Sequence, residues 1–231
     1  MPDISPGEDA WLKVDNQTWA NARGKASATT TNASPSGAQI LARKQSTTYD
    51  VYRYFLAFDT SAIDAVPKSA TLKLRGFSSG TADLIVVRVN PNATGDSGTN
   101  FVAGDFSKVS FTDPYSAEVD TWSTSGFNSI VLNRQAREAM KNFDEFKIAV
   151  IDHDHDYQNV APTGATVSVT RALGASASLR PYITYDPRSI KRENRDERRK
   201  RKTRGARGKG FSRKNISVQT GGRTVTNGFS E

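Results

Sequence analysis

Residues Val51 to Phe77, VYRYFLAFDTSAIDAVPKSATLKLRGF, constrain the fold more than any other stretch of this chain. The opening run, Val51 to Phe58, is dominated by aromatic and β-branched residues and is too short for most helices. It reads as a strand buried on at least one face. Side chains alternate along a strand, so Tyr52, Tyr54, Leu56 and Phe58 share one side. Asp59-Thr60-Ser61 breaks the pattern with side chains that bond local backbone. After a short link containing Pro67, Ala70 to Arg75 alternates cleanly. Ala70, Leu72 and Leu74 point inward, while Thr71, Lys73 and Arg75 point outward. Two strands joined this closely imply an all-β core.

Other runs extend the pattern. Strands are expected at Ala10–Val14, Ala38–Lys44, Ala82–Val89, Lys108–Thr112, Asn128–Leu132, Phe146–Ile151, Ala165–Ala172 and Arg180–Tyr185. Ala82–Val89 is apolar nearly throughout, as in a strand covered on both faces. Asn16 to Gly37 is polar and shows no period, so a long loop and one weak strand near Ala26–Thr31 stay open. Asn133 stands in N-cap position before good helix formers, and a short helix follows it with Ala136, Met140 and Phe143 on one side. Strand number and spacing suit a sandwich or jelly roll.

The segment FLAFDTSAI…VPKSATLKLRGF resembles the signature of the DNRLRE-domain (disaggregatase-related) family of jelly-roll β-sandwiches. Asp9-Ala10-Trp11-Leu12, Leu84 to Val89, and Leu179 to Tyr185 are similar to other parts of that family, and the likeness spans about residues 8–186. It implies a jelly-roll β-sandwich; together with the residue patterns, the expectation is an all-β fold, a jelly-roll β-sandwich domain over residues 1–187 with one short helix, continued by an extended basic C-terminal arm over 188–231. Family modules occur in carbohydrate-active proteins, secreted surface proteins and phage structural proteins.

Charge is divided unevenly. Residues 1–187 carry 17 Lys and Arg against 20 Asp and Glu, whereas residues 188–214 carry 14 against 3. The chain's net +8 therefore belongs to the arm. Ser189 to Arg204 could form a short basic helix, with Glu193, Asp196 and Glu197 placed to support it. Ile216–Thr220 and Arg223–Thr226 flank Gly221-Gly222 as in a hairpin. A lone hairpin is marginal in water and needs a surface. The expected docking residues are Arg192, Arg195, Arg198, Arg199, Lys200, Arg201, Lys202, Arg204, Arg207, Ile216, Val218 and Val225. Against this stands the plain reading of a solvated charge run.

Two further groups are candidates. Asp152, Asp154 and Asp156 alternate with His153 and His155 directly after a strand, and continued strand geometry would put three carboxylates on one side for a structural Ca2+. An exposed acidic turn is the alternative. Trp19 and Trp122, with Trp11, could build a sugar-stacking platform, although Trp residues in a sandwich usually serve its core.

No cysteine is present, which excludes disulfides, thiolate nucleophiles and Cys-based zinc sites. There is no GxSxG, HExxH or phosphate-binding glycine loop, so no catalytic residues are named and an enzyme is the least expected class. Neither a signal peptide nor a membrane-spanning run is visible, so synthesis in a host cytoplasm without membrane association is expected. The preferred expectation is a structural protein of a tailed-bacteriophage virion, in capsid decoration, head–tail joining or the tail and fibres. Other virion proteins, in a homo- or hetero-oligomeric assembly, would be its partners, with packaged DNA as a further partner for the arm. A carbohydrate-binding module and a sequence-independent nucleic-acid-associated protein are the competing expectations.

Overall fold

A computed structural model describes residues 1–95 and 99–187 of the chain. They form an all-β, sandwich-like fold in which every strand pairing is antiparallel. The strands are β1 (Asp3–Ile4), β2 (Pro6–Gln17), β3 (Thr30–Ala33), β4 (Gly37–Gln45), β5 (Thr48–Asp59), β6 (Ser69–Gly80), β7 (Leu84–Val89), β8 (Val109–Pro114), β9 (Phe127–Val131), β10 (Glu145–Asp152), β11 (Ala165–Arg171) and β12 (Tyr182–Asp186). Among the described residues two α-helices occur, α1 (Trp19–Gly24) and α2 (Arg134–Asn142). The sequence pattern foresees one. It misses α1, whose six residues include Asn21 and Gly24 and carry no period.

β5 is the hub. Along one edge it pairs with β2. Its other edge is shared in tandem, by β4 up to Tyr52 and by β10 from Tyr54. From this fork one branch runs through β4 and β11 to the end of β6, and the other runs through β10 and β7 to β8. The first half of β6 lies in a second layer, between β12 and β9.

Two hydrophobic cores result. Between the layers lie Tyr54, Leu56 and Phe58 of β5, Leu72 and Leu74 of β6, and Ile148 and Val150 of β10. Ala136 and Met140 of α2 close this core. Asn133 caps α2 as expected, its side chain accepting from the Ala136 N–H at 3.0 Å. Phe143 falls beyond the last helical residue and stays partly exposed, so it does not join Ala136 and Met140. The second core covers the opposite side of β5. It gathers Val51, Phe55 and Ala57 with Ile85, Val87, Ala149 and Ile151, under Ala22 of α1 and Phe101 and Phe106 of the β7–β8 connection. Nine consecutive β5 residues, Asp50 to Phe58, are consequently buried. β7 is buried on both sides too, as its apolar run predicts.

Close approach at one glycine holds the 120s loop in place. An added Cβ at Gly76 would lie 1.7 Å from the Ser123 carbonyl oxygen. The loop thus packs on the inner side of β6.

One buried acid makes stability depend on pH. Asp9 of β2 accepts from the Tyr54 hydroxyl at 2.6 Å and the Leu173 N–H at 2.9 Å, both through Oδ2. Its Oδ1 is buried without a partner. Burial is the main cause that pushes the Asp9 pKa up to about 6. Burial also holds the Tyr54 phenol well above its usual value, so it remains the donor. The native protein therefore binds this proton more tightly than the unfolded chain does. That contribution is complete below about pH 4 and disappears as pH rises through about 6. Asp9→Asn removes the dependence. Denaturant melts of both proteins from pH 4 to 7 should show wild type losing about 2 kcal/mol relative to the variant. A difference that stays constant with pH would contradict this.

Candidate functional site

The chemistry-bearing residues concentrate where β5, β10 and the His153–Tyr157 turn meet. Arg53 points from β5 into the second core and is fully buried. Its Nε donates to Asp156 Oδ2 at 2.7 Å and its Nη2 to Asp156 Oδ1 at 2.8 Å. Nη1 donates to the Phe106 carbonyl at 2.6 Å, and Nη2 also to the Arg23 carbonyl at 2.8 Å. The guanidinium lies over the Phe106 ring at 4.0 Å. Arg23 completes the network, donating from Nε to the Asp156 carbonyl at 2.6 Å while stacking on Phe111 at 3.8 Å. Lys147 repeats the device on β10, its Nζ bonding the Ala93 and Pro91 carbonyls at 2.6 and 3.2 Å. Buried cations on the sheet thus hold backbone carbonyls of the layer that covers it. A cation is tolerated there only because its N–H groups find acceptors.

This geometry corrects the expected calcium set. The strand stops at Asp152, and a π-helical turn, His153–Tyr157, turns the chain away. Both Asp156 oxygens are taken by Arg53. Asp152 is buried and caps the turn, accepting from the His155 N–H at 2.7 Å and the Thr166 hydroxyl at 2.7 Å. Burial pushes its pKa up. Only Asp154 remains exposed, so Asp152, Asp154 and Asp156 do not converge on one point. Among the described residues the potential ligands that do gather are Glu118, His153 and Asp154, whose ligand atoms all lie within 4.8 Å of one another. His153 Nδ1 is 2.9 Å from Asp154 Oδ1 and 3.3 Å from Glu118 Oε1. Asp83 stands close enough that burial, then the charges of Asp154 and Asp120, raise its pKa. This is a set of one imidazole nitrogen from the half-buried His153 and two oxygens from the exposed carboxylates of Glu118 and Asp154. Glu118 lies 35 residues from His153, beyond the reach of any local motif.

The expected aromatic platform is also divided. Trp19 packs against the second core, edge-on to Tyr49, and donates to Asn159 Oδ1 at 3.2 Å. Trp122 packs against the core between the layers, over Gly80. Trp11 stacks on Tyr52 at 5.7 Å. The three indoles serve two different cores and form no common surface.

A shallow polar cleft of 430 Å³ lies beside β8, lined in part by Arg88, Asn90, Lys108 and Asp113. Arg88 and Asp113, 4.0 Å apart, separate it from a second hollow beside α2. The exposure of this ion pair makes it weak as a structural element.

The expected docking residues, Arg192, Arg195, Arg198, Arg199, Lys200, Arg201, Lys202, Arg204, Arg207, Ile216, Val218 and Val225, lie outside the described residues, as do the segments expected to form a basic helix and a hairpin. No helix among the described residues is long and apolar enough to cross a membrane. A scan against protein-family models finds no match to this chain, and no curated protein matches it.

Removing one partner of the Arg53–Asp156 pair leaves a buried charge uncompensated. Asp156→Ala should lower stability by about 3–5 kcal/mol in urea unfolding. The apolar double variant Arg53→Met with Asp156→Leu should recover only part of that. It still orphans the Phe106 and Arg23 carbonyls, at about 1–3 kcal/mol each. Loss below about 1 kcal/mol for Asp156→Ala would contradict the buried-pair account.

Proposed function

We propose that the chain is a non-enzymatic structural protein of a virus particle, of the tailed-bacteriophage kind, joined to neighbouring subunits through its basic C-terminal arm. The observation that carries this reading is the partition of charge. A sandwich-bearing segment with 17 basic and 20 acidic residues continues into 27 residues with 14 basic and 3 acidic ones. Opposite charge in the two parts suits association between copies, or with other acidic partners, and charge complementarity of this kind governs encounter rate and specificity. The likeness of the Phe55–Phe77 region to DNRLRE modules, some of which belong to phage particles, supports the same setting. Hairpin docking at Ile216–Thr226 would add main-chain hydrogen bonds to the charge pairing.

The test reverses charge in the full chain, through Arg198→Glu, Arg199→Glu, Arg201→Glu and Arg204→Glu together. The variant should melt as wild type does, since the sandwich is untouched. Its incorporation into particles, quantified by mass spectrometry, should fall at least ~10-fold. Normal incorporation would overturn the role of the arm.

A further inference from the structure

Among the described residues, the outer side of the second layer is less covered than β5: Thr71, Lys73 and Arg75 are half-buried and Phe77 is exposed. Here β6 lies between β9 and β12, with Arg75 opposite Phe127 and Lys73 between Ser129 and Tyr182. The Phe127 and Tyr182 rings meet edge to face across β6, centroids 5.4 Å apart. Arg75 lies over the Phe127 ring at 5.7 Å. Further along, where β6 pairs with β11, Arg171 stacks on Phe77 at 3.5 Å, and Phe77 is 41% exposed. Lys73, Arg75 and Phe77 follow one another on the same side of the strand, roughly 7 Å apart.

The acids of this face, Asp186 of β12 and Asp3 of β1, lie toward its other end, opposite Ser69 and Thr184. Lys73 donates to the Ser129 hydroxyl at 2.6 Å. Among the described residues, no carboxylate forms an ion pair with Lys73, Arg75 or Arg171. Elsewhere the acids of the sandwich outnumber its bases, so this local excess of cations departs from the rest. Each arginine is paired instead with an aromatic ring. Cations presented together with accessible rings on a flat sheet match a ligand that alternates phosphates with unstacked bases. In a duplex the bases are already stacked, and a sulfated polysaccharide offers charge without base rings.

We propose that the outer face of β9, β6, β12 and the adjoining end of β11 binds single-stranded nucleic acid, with Lys73, Arg75 and Arg171 on phosphates and Phe77, Phe127 and Tyr182 against bases. The basic arm, with Phe211 as the sole aromatic in residues 188–214, offers charge almost without rings and is not part of this site. The inference does not rest on the virion setting.

Fluorescence anisotropy with the full-length protein tests it, using a labelled oligothymidylate, a duplex of equal length, and heparin as probes. The arm is common to every variant, so differences between variants report on the face. Phe77→Leu with Phe127→Leu keeps apolar bulk and removes two rings, and thermal melts check that the fold is retained. The pair should weaken oligothymidylate binding about tenfold while leaving heparin and duplex affinities unchanged. Replacing Lys73, Arg75 and Arg171 with Ala should flatten the salt dependence for the single strand by about 2 in log–log slope. Unchanged oligothymidylate affinity in the ring variant would overturn the proposal. An equal loss toward heparin would overturn it as well and make the face a general polyanion surface.

Discussion

A guanidinium buried in the middle of an apolar strand sets the terms for this fold. Arg53 cannot sit inside the sheet unless its donors are met, and Asp156 together with the Phe106 and Arg23 carbonyls meets them. Those acceptors belong to three separate pieces of chain: the π-helical turn, the β7–β8 connection and the end of α1. One side chain therefore ties the covering layer to the central strand. Apolar burial supplies most of the cohesion of such a layer, but it is non-directional. The bidentate pair adds a fixed position and orientation. β5 is thereby committed on both sides, and the two cores share a wall.

That arrangement leaves distinct chemistries at the surface. The turn that delivers Asp156 to Arg53 also places His153 and Asp154 outside, beside Glu118. Polar groups line the cleft beside β8. The outer face of the second layer carries Lys73 and Arg75 beside the Phe127 and Tyr182 rings, with Asp3 and Asp186 toward its far end. A chain with a strongly basic C-terminal sequence and a sandwich bearing such patches has more than one way to engage its surroundings.

Much of the architecture is readable from local pattern. The alternation of Ala70 to Arg75 predicts which side chains face inward, and Leu72 and Leu74 are fully buried. Asn133 announces its helix through a capping interaction that spans three residues. Partners distant in sequence are another matter. Arg53 reads as a polar interruption in an apolar run, because its partner lies 103 residues away. Asp156 reads as a metal ligand, because alternating carboxylates look alike whether they face solvent or a buried arginine. The second core escapes notice for the same reason: its lid comes from polar, turn-rich connections with no period of their own. The aromatic cluster over β6 joins three strands, and each of its rings looks unremarkable in its own segment.

Native-state hydrogen exchange followed residue by residue tests most directly whether β5 binds the two cores into one cooperative unit. The β5 amides, together with those of β2, β7 and β10, should exchange only through global unfolding, with one shared free energy that falls by the same amount throughout when Asp156 is replaced by Ala. Independent opening of the layer over Arg53, with β6 and β12 still protected and no effect of the substitution on them, would contradict the account.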